Sequence, residues 1–226
     1  MRTGWVVLLL VAALAAGPAC QGQPPGKEVA VRTFAAPRAT GPLSLEQSLV
    51  SRRSIREFTP RALTSTELGQ LAWACQGRTD PRGFRTAPSA GALYPLELYV
   101  ALPEGLFHYL PASHALERRA EGDLRPALQE AALGQESVGS AAAVFILAGV
   151  YERTAAKYGR ERAPRYVHME AGHAAQNLLL QAVALELGAV PVGAFEDDRV
   201  AQVLGLPRDE RPLYLLPVGH PGGPRG

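Results

Sequence analysis

Three arginines in one short run, Arg52, Arg53 and Arg56, put planar guanidinium donors where paired hydrogen bonds can grip a phosphate monoester. Taken alone, such a cluster is better explained as a solvated basic face. Further along, RTAPSAGALYPLELYV, Arg85–Val100, crowds small residues around two prolines and a tyrosine just before a strand pattern. Pro88, Ser89, Ala90 and Gly91 carry almost no side-chain bulk, so their backbone can lie against a flat ring system while the Ser89 hydroxyl donates a hydrogen bond. Leu93 closes that small-residue run, and Tyr94 stands where it could line a substrate. A third signal is Pro191-Val192-Gly193-Ala194-Phe195, where a strand ends on a residue without a Cβ and a backbone N–H can reach a ligand.

Between these lies a helical run in which Glu170, His173, Asn177 and Gln181 form one polar stripe beside an apolar face of Ala171, Ala175, Leu178 and Ala182. The E-x-x-H spacing of Glu170 and His173 matches half of a di-iron ligand set. Such a site needs a second copy and further carboxylates on neighbouring helices, and the sequence offers neither, so no metal is expected.

RRSIREF (Arg52–Phe58), the small-residue stretch, HMEAGHAAQNLLLQ, PVGAF and the closing Val218-Gly219-His220-Pro221 occur in an order and at intervals that resemble the nitroreductase superfamily of FMN-dependent oxidoreductases. Within it, the likeness is to the SagB-type dehydrogenase branch. It runs from Leu45 to Pro221 and implies a role for each motif. Arg52, Arg53, Ser54 and Arg56 would bind the FMN phosphate, with Arg225 the one basic residue near the C-terminus able to return to it. Pro88, Ser89, Ala90 and Gly91 would pack on the isoalloxazine. Pro191, Val192, Gly193 and Ala194 would present a backbone N–H to flavin N5, and Gln176 and Asn177 would lie near the cofactor or a subunit interface. Lys157-Tyr158 resembles the adjacent pair with which some members abstract a proton beside the flavin, although a surface lysine in the charged stretch Glu152–Arg165 is the plainer reading. The resemblance also implies a homodimer whose two sites lie at the interface.

The elements that must position these residues can be read from local pattern. Ser44 with Gln47, and Thr64 with Glu67, are capping-box pairs that open helices, the first running to Arg53 and the second ended by Gly77. Leu96–Leu102 alternates as a half-buried strand, and Leu106–Leu110 follows after a Pro-Glu-Gly turn. Asp123–Leu133 is helical in pattern, Ala143–Val150 reads as a fully buried strand, and Tyr166–Leu187 as the longest helix, ended by Gly188. Strands at Ala189–Ala194 and Leu213–Val218 bracket a short helix, Val200–Leu204, capped by Asp197 or Asp198. Helices and strands without a strict βαβ rhythm favour α+β. The resemblance sharpens this to one domain with a mixed central sheet wrapped by helices.

The chain has 226 residues, 47% of them hydrophobic, enough for one such domain with a substantial core. A net charge of +2, with no long basic run, argues against nucleic acid as a partner. Arg2, the apolar run Trp5–Ala16 and the small residues before Cys20 read as an export signal, the apolar run being too short for a membrane span. Residues 1–20 are therefore assigned to the signal, 21–42 to a Pro/Gly-rich tether and 43–226 to the folded domain. Cys20 stands where a lipoprotein signal places its acylated cysteine, but Gly17 occupies the position where leucine is usual, so lipidation and simple secretion both stay open. The expected location is periplasmic or membrane-anchored. Cys75, the one remaining cysteine, lies on an apolar stripe with Leu68, Leu71 and Ala72 and reads as a core residue.

The resulting expectation is an FMN-dependent oxidoreductase passing hydride between flavin N5 and a small-molecule or peptide substrate. Two alternatives remain: an NAD(P)H-dependent nitro or quinone reductase, and a non-catalytic flavin-binding lipoprotein. Export weighs against the first, because nicotinamide donors are intracellular.

Overall fold

The computed structural model describes residues 30–223; the signal and lipidation readings at 1–20, and Arg225, lie outside them. A seven-stranded sheet runs in the order β1-β4-β3-β2-β5-β7-β6. Its strands are β1 (Val31–Thr33), β2 (Leu96–Leu102), β3 (Gly105–Leu110), β4 (Ala115–Glu121), β5 (Ala143–Val150), β6 (Gly188–Ala189) and β7 (Glu210–Gly219). Every ladder is antiparallel. The parallel component of the expected mixed sheet is one isolated bridge, Ser54 to Ala189.

Strand β5 shows why the sheet is buried on both faces. All eight of its side chains are buried. Successive residues point to opposite faces. Ala143, Phe145 and Leu147 enter one core with helices α2 (Ser65–Gln76) and α6 (Ala163–Ala184). Val144, Ile146 and Ala148 enter a second core with α3 (Arg125–Ala131), α4 (Glu136–Ser140) and α7 (Asp197–Leu204). Helix α1 (Leu45–Ser51) and helix α5 (Tyr151–Tyr158) complete the set and both pack on α6.

Both capping boxes form: Ser44 and Gln47 exchange side-chain-to-backbone bonds ahead of α1, and Thr64 and Glu67 do so ahead of α2. Cys75 is fully buried, and burial pushes its thiol far above the ordinary range, so it is a packing residue.

Several expectations are corrected. The stretch assigned to a tether is docked from residue 30 onward: β1 pairs with β4, and Phe34 packs against Gly69, where a Cβ would sit 2.8 Å from its ring. The charged stretch after Val150 is helical over α5. Helix α6 begins at Ala163 and leaves helical geometry at Leu185, before Gly188, which instead lies in β6. The strand expected over Ala189–Ala194 shrinks to β6 plus a single bridge from Val192 to Leu215. Glu196, not Asp197 or Asp198, stands at the N-cap of α7, without a side-chain cap bond.

Candidate functional site

The expected site residues fall into two groups, both mounted on α6. The first surrounds the turn before β2. Asn177 Nδ2 donates to Thr86 O at 3.2 Å, and Thr86 N and Oγ1 donate to Gly77 O and Trp73 O, pinning the chain as it enters the turn. Within the turn Gly91, Ala92 and Tyr94 all have left-handed φ, 64°, 54° and 48°. Glycine takes this conformation freely, whereas Ala92 and Tyr94 each cost on the order of 1 kcal/mol.

Side chains brought from elsewhere in the sequence hold that strain. Ser89 Oγ accepts from Tyr94 N at 2.9 Å, and Arg153 Nη1 donates to Tyr94 O at 3.2 Å. Arg153 is itself anchored by Glu97, whose charge is opposed by burial but secured by His108 and Arg153 together. The Tyr94 hydroxyl accepts from Arg85 N at 3.1 Å, and the Arg85 guanidinium lies 4.7 Å from its ring centroid. Tyr94 is thus tied into the turn.

Two further contacts give the turn chemistry. A Cβ placed on Gly91 would lie 2.8 Å from Lys157 Nζ and 2.9 Å from Tyr158 Oη, so the expected Lys-Tyr pair converges on the small-residue turn. Helix α5 presents them there, with Tyr158 braced edge-on against Tyr166. Beneath the turn, Glu170 on α6 is 3% exposed, and its Oε1 has no hydrogen-bond partner among the described residues. Burial pushes its carboxyl up to about 7, partly offset by the nearby Ser89 hydroxyl and the charge of Arg85.

The polar stripe on α6 is therefore explained. Glu170 is buried beneath the turn, Asn177 holds Thr86, and Gln181 accepts from Gln70 of α2 at 3.1 Å, while His173 stays exposed. Gln176 is half-buried beside them.

The second group lies around β6. Ile55 N donates to Ala189 O at 3.0 Å, and Gly188 leaves room for Ile55, whose Cγ2 would be 2.7 Å from a Cβ there. This docks the arginine segment beside the chain that continues into Pro191–Ala194. Arg52 and Arg53 line a cleft with Ile55, Leu179, Val183 and Ala189. Arg53 Nη1 turns back onto Val50 O and Arg52 O, capping the end of α1. Arg56 does not join them: it lines a separate cavity with Glu57, Gln129 and Glu136. The chain leaves helical geometry at Arg52, whose backbone is extended, and Arg56 is carried on to the other cavity. None of the three arginines pairs with a carboxylate among the described residues.

Gly193 is exposed, and its N–H has no acceptor among the described residues, while Gln135 fixes the next peptide through Ala194 O at 2.8 Å. A Cβ on Gly193 would meet nothing nearer than Tyr214 Cε1 at 4.0 Å, so the chain's own packing does not demand glycine there. It opens on a cavity of about 490 Å³ shared with Tyr151, His168, Phe195, Arg211 and Tyr214. Tyr151 and His168 pair at 2.6 Å across one wall. That pair and the Arg153 anchor gave no sequence signal, because their partners are far apart in the chain.

The sequence matches the nitroreductase family over residues 49–220. A protein of Methanocaldococcus jannaschii named as a nitroreductase is 45% identical over 183 residues, covering 78% of this chain and 91% of that one. The microcin B17-processing protein McbC of Escherichia coli is 28% identical over 184 residues, 76% of this chain and 62% of its own length. Among solved structures, a nitroreductase of Ralstonia eutropha superposes with a TM-score of 0.79 at 31% identity, covering 86% of this chain and 90% of that one.

Proposed function

The chain belongs to the nitroreductase family of oxidoreductases, and we propose from that premise that it binds FMN and oxidises an organic substrate, in the manner of the SagB-type dehydrogenase branch. The observation that carries the reading is the convergence of Lys157 Nζ and Tyr158 Oη on Gly91. The likeness to McbC supports the same branch.

The residues fit an FMN. Arg52 offers a guanidinium without a carboxylate partner among the described residues, next to the capping Arg53, and thus charge for a phosphate. The Gly193 N–H is an unpartnered donor with space beside it, and the turn at Pro88–Gly91 offers backbone and a hydroxyl to a flat ring. When bound, FMN supplies the hydride chemistry at its N5. The protein's part is placement and proton handling. A fixed N–H at Gly193 stabilises developing negative charge without a titrating side chain. Lys157 takes the substrate proton, and Tyr158 shares it.

Two wider parts of the reading rest on other observations. Leu45, Leu49 and Val50 are 61%, 51% and 73% exposed on α1, just before the arginines, and support a homodimer with this face covered by a second copy. The N-terminal signal pattern supports work outside the cytoplasm, which favours an organic reductant over NAD(P)H.

Anaerobic mixing of flavin-loaded protein with a panel of oxidisable small molecules and peptides and, separately, with NADPH tests the reading. A member of the panel should bleach the flavin band, roughly a hundredfold more slowly in Lys157→Ala, while dithionite still bleaches both proteins. Bleaching by NADPH that is indifferent to Lys157→Ala contradicts it.

A further inference from the structure

The cavity beside Gly193 carries a charge that neither the phosphate cleft nor the proton-handling pair uses. Its volume of about 490 Å³ suits a small-molecule site. Tyr151, Phe195 and Tyr214 line it with aromatic rings, and Arg211, at the head of β7, lies among them. Tyr151 is held in place: its hydroxyl pairs with His168 Nε2 at 2.6 Å, and the two rings meet edge-on at 5.6 Å between centroids. His168 thereby fixes one flat wall of the cavity.

Arg211 Nη1 donates to Arg208 O at 3.1 Å and to Glu210 O at 3.3 Å, so backbone carbonyls steady the guanidinium. Its Nε and Nη2 make no hydrogen bond among the described residues, and none of their carboxylates pairs with it. That edge of a guanidinium is the one that grips a carboxylate by two parallel bonds. Asp197 is the carboxylate on the lining, and it stands in the first turn of α7, where the helix's own unpaired N–H groups favour a negative charge. The charge left over for a ligand is therefore positive.

We propose that this cavity is a subsite for a flat, conjugated carboxylate, its ring against the aromatic walls and its carboxylate on Nε and Nη2 of Arg211. The proposal deepens the FMN reading and rests on it for one step: because Gly193 lines the same space, a ligand here lies beside the N–H assigned to flavin N5, and the organic substrate belongs to this class. Arg211 sets specificity, and Lys157 and Tyr158 handle the proton.

The probe is 2-naphthoate, with 2-naphthamide as its uncharged match and 2-naphthylmethylamine as its cationic one, each titrated by calorimetry into FMN-loaded and flavin-free protein. Wild type should bind naphthoate about tenfold tighter than the amide, as for one charge-assisted pair, and the amine should bind weakest. In Arg211→Gln, which keeps a donor for the two backbone carbonyls, that preference should vanish, and in Arg211→Lys part of it should return. In flavin-free Arg52→Ala it should persist, which separates this cavity from the phosphate cleft.

No preference for naphthoate in wild type overturns the proposal, even where a variant fails to fold. So does a preference that Arg211→Gln retains or Arg52→Ala loses, and so does naphthoate binding that added FMN abolishes, which would give the cavity to the flavin itself. Those outcomes leave the FMN reading standing. An Arg211-dependent preference in protein that retains no FMN sinks the FMN reading instead: the anion subsite stands, and its assignment to the substrate falls.

Discussion

The two halves of the candidate site are built on opposite plans. Around β6, the arginine segment and Gly193 present charge and a backbone donor with few partners of their own. Around Gly91, the turn is held by its neighbours: the left-handed stretch is fixed by Ser89, Arg153 and Arg85, with Glu170 buried beneath. Groups that wait for a counter-charge gain their energy on binding, so losing one should cost ligand and leave the fold alone. Groups that hold strain gain theirs on folding, so disturbing one should change geometry and rate before affinity.

Arg52→Ala tests the first half most strongly. With no internal partner lost, its melting temperature should match wild type, while the Kd for FMN rises roughly tenfold to a hundredfold, as for a lost charge-assisted hydrogen bond. Riboflavin, which lacks the phosphate, should bind both proteins alike in fluorescence titrations. A loss of stability in this variant would break the contrast.

Glu170 gives the second half a signature the first lacks. Its carboxyl titrates near 7 in the folded protein against 4.5 as its ordinary value, so the folded state binds the extra proton between those limits. Stability from this group is therefore complete below about 4.5, falls as pH rises, and is flat again above about 7. The total is on the order of 2 kcal/mol. Urea unfolding across this range should show the fall in wild type and lose that component in Glu170→Gln.

Gly91→Ala separates rate from stability. The new Cβ meets the mobile end of Lys157 and the Tyr158 hydroxyl, and the left-handed φ costs about 1 kcal/mol. Turnover should fall roughly tenfold because the pair is displaced. Gly193→Ala is the smallest expected effect on the fold: with open space around the added methyl, unfolding free energy should stay within about 0.5 kcal/mol of wild type. A large loss there would mean that the β6 side is also internally strained.

The contrast explains what sequence could reveal. Ser44–Gln47 and Thr64–Glu67 were legible because both partners of each bond lie within one helical turn, and β5 because a strand buried on both faces must be apolar throughout. Strand β4, ALERRAE, shows no such pattern, since its second half is largely solvent-facing and charged. Helix α5 starts at Val150 without a capping side chain and so announced nothing. The arginine cluster was visible as composition, yet the departure of Arg56 depends on the extended backbone at Arg52. Lys157 and Tyr158 were suggested by resemblance alone. Their meeting with Gly91, and the bond from Arg153 to Tyr94, are made by tertiary packing between residues far apart in the chain.

The central claim, that both halves serve one flavin, is tested most directly by mixing the purified protein with excess FMN, removing free ligand by gel filtration, recording the absorption spectrum and identifying the chromophore released by heat. The account predicts a retained flavin band, about one FMN per chain, lost in Arg52→Ala. A folded protein that emerges without flavin would contradict it.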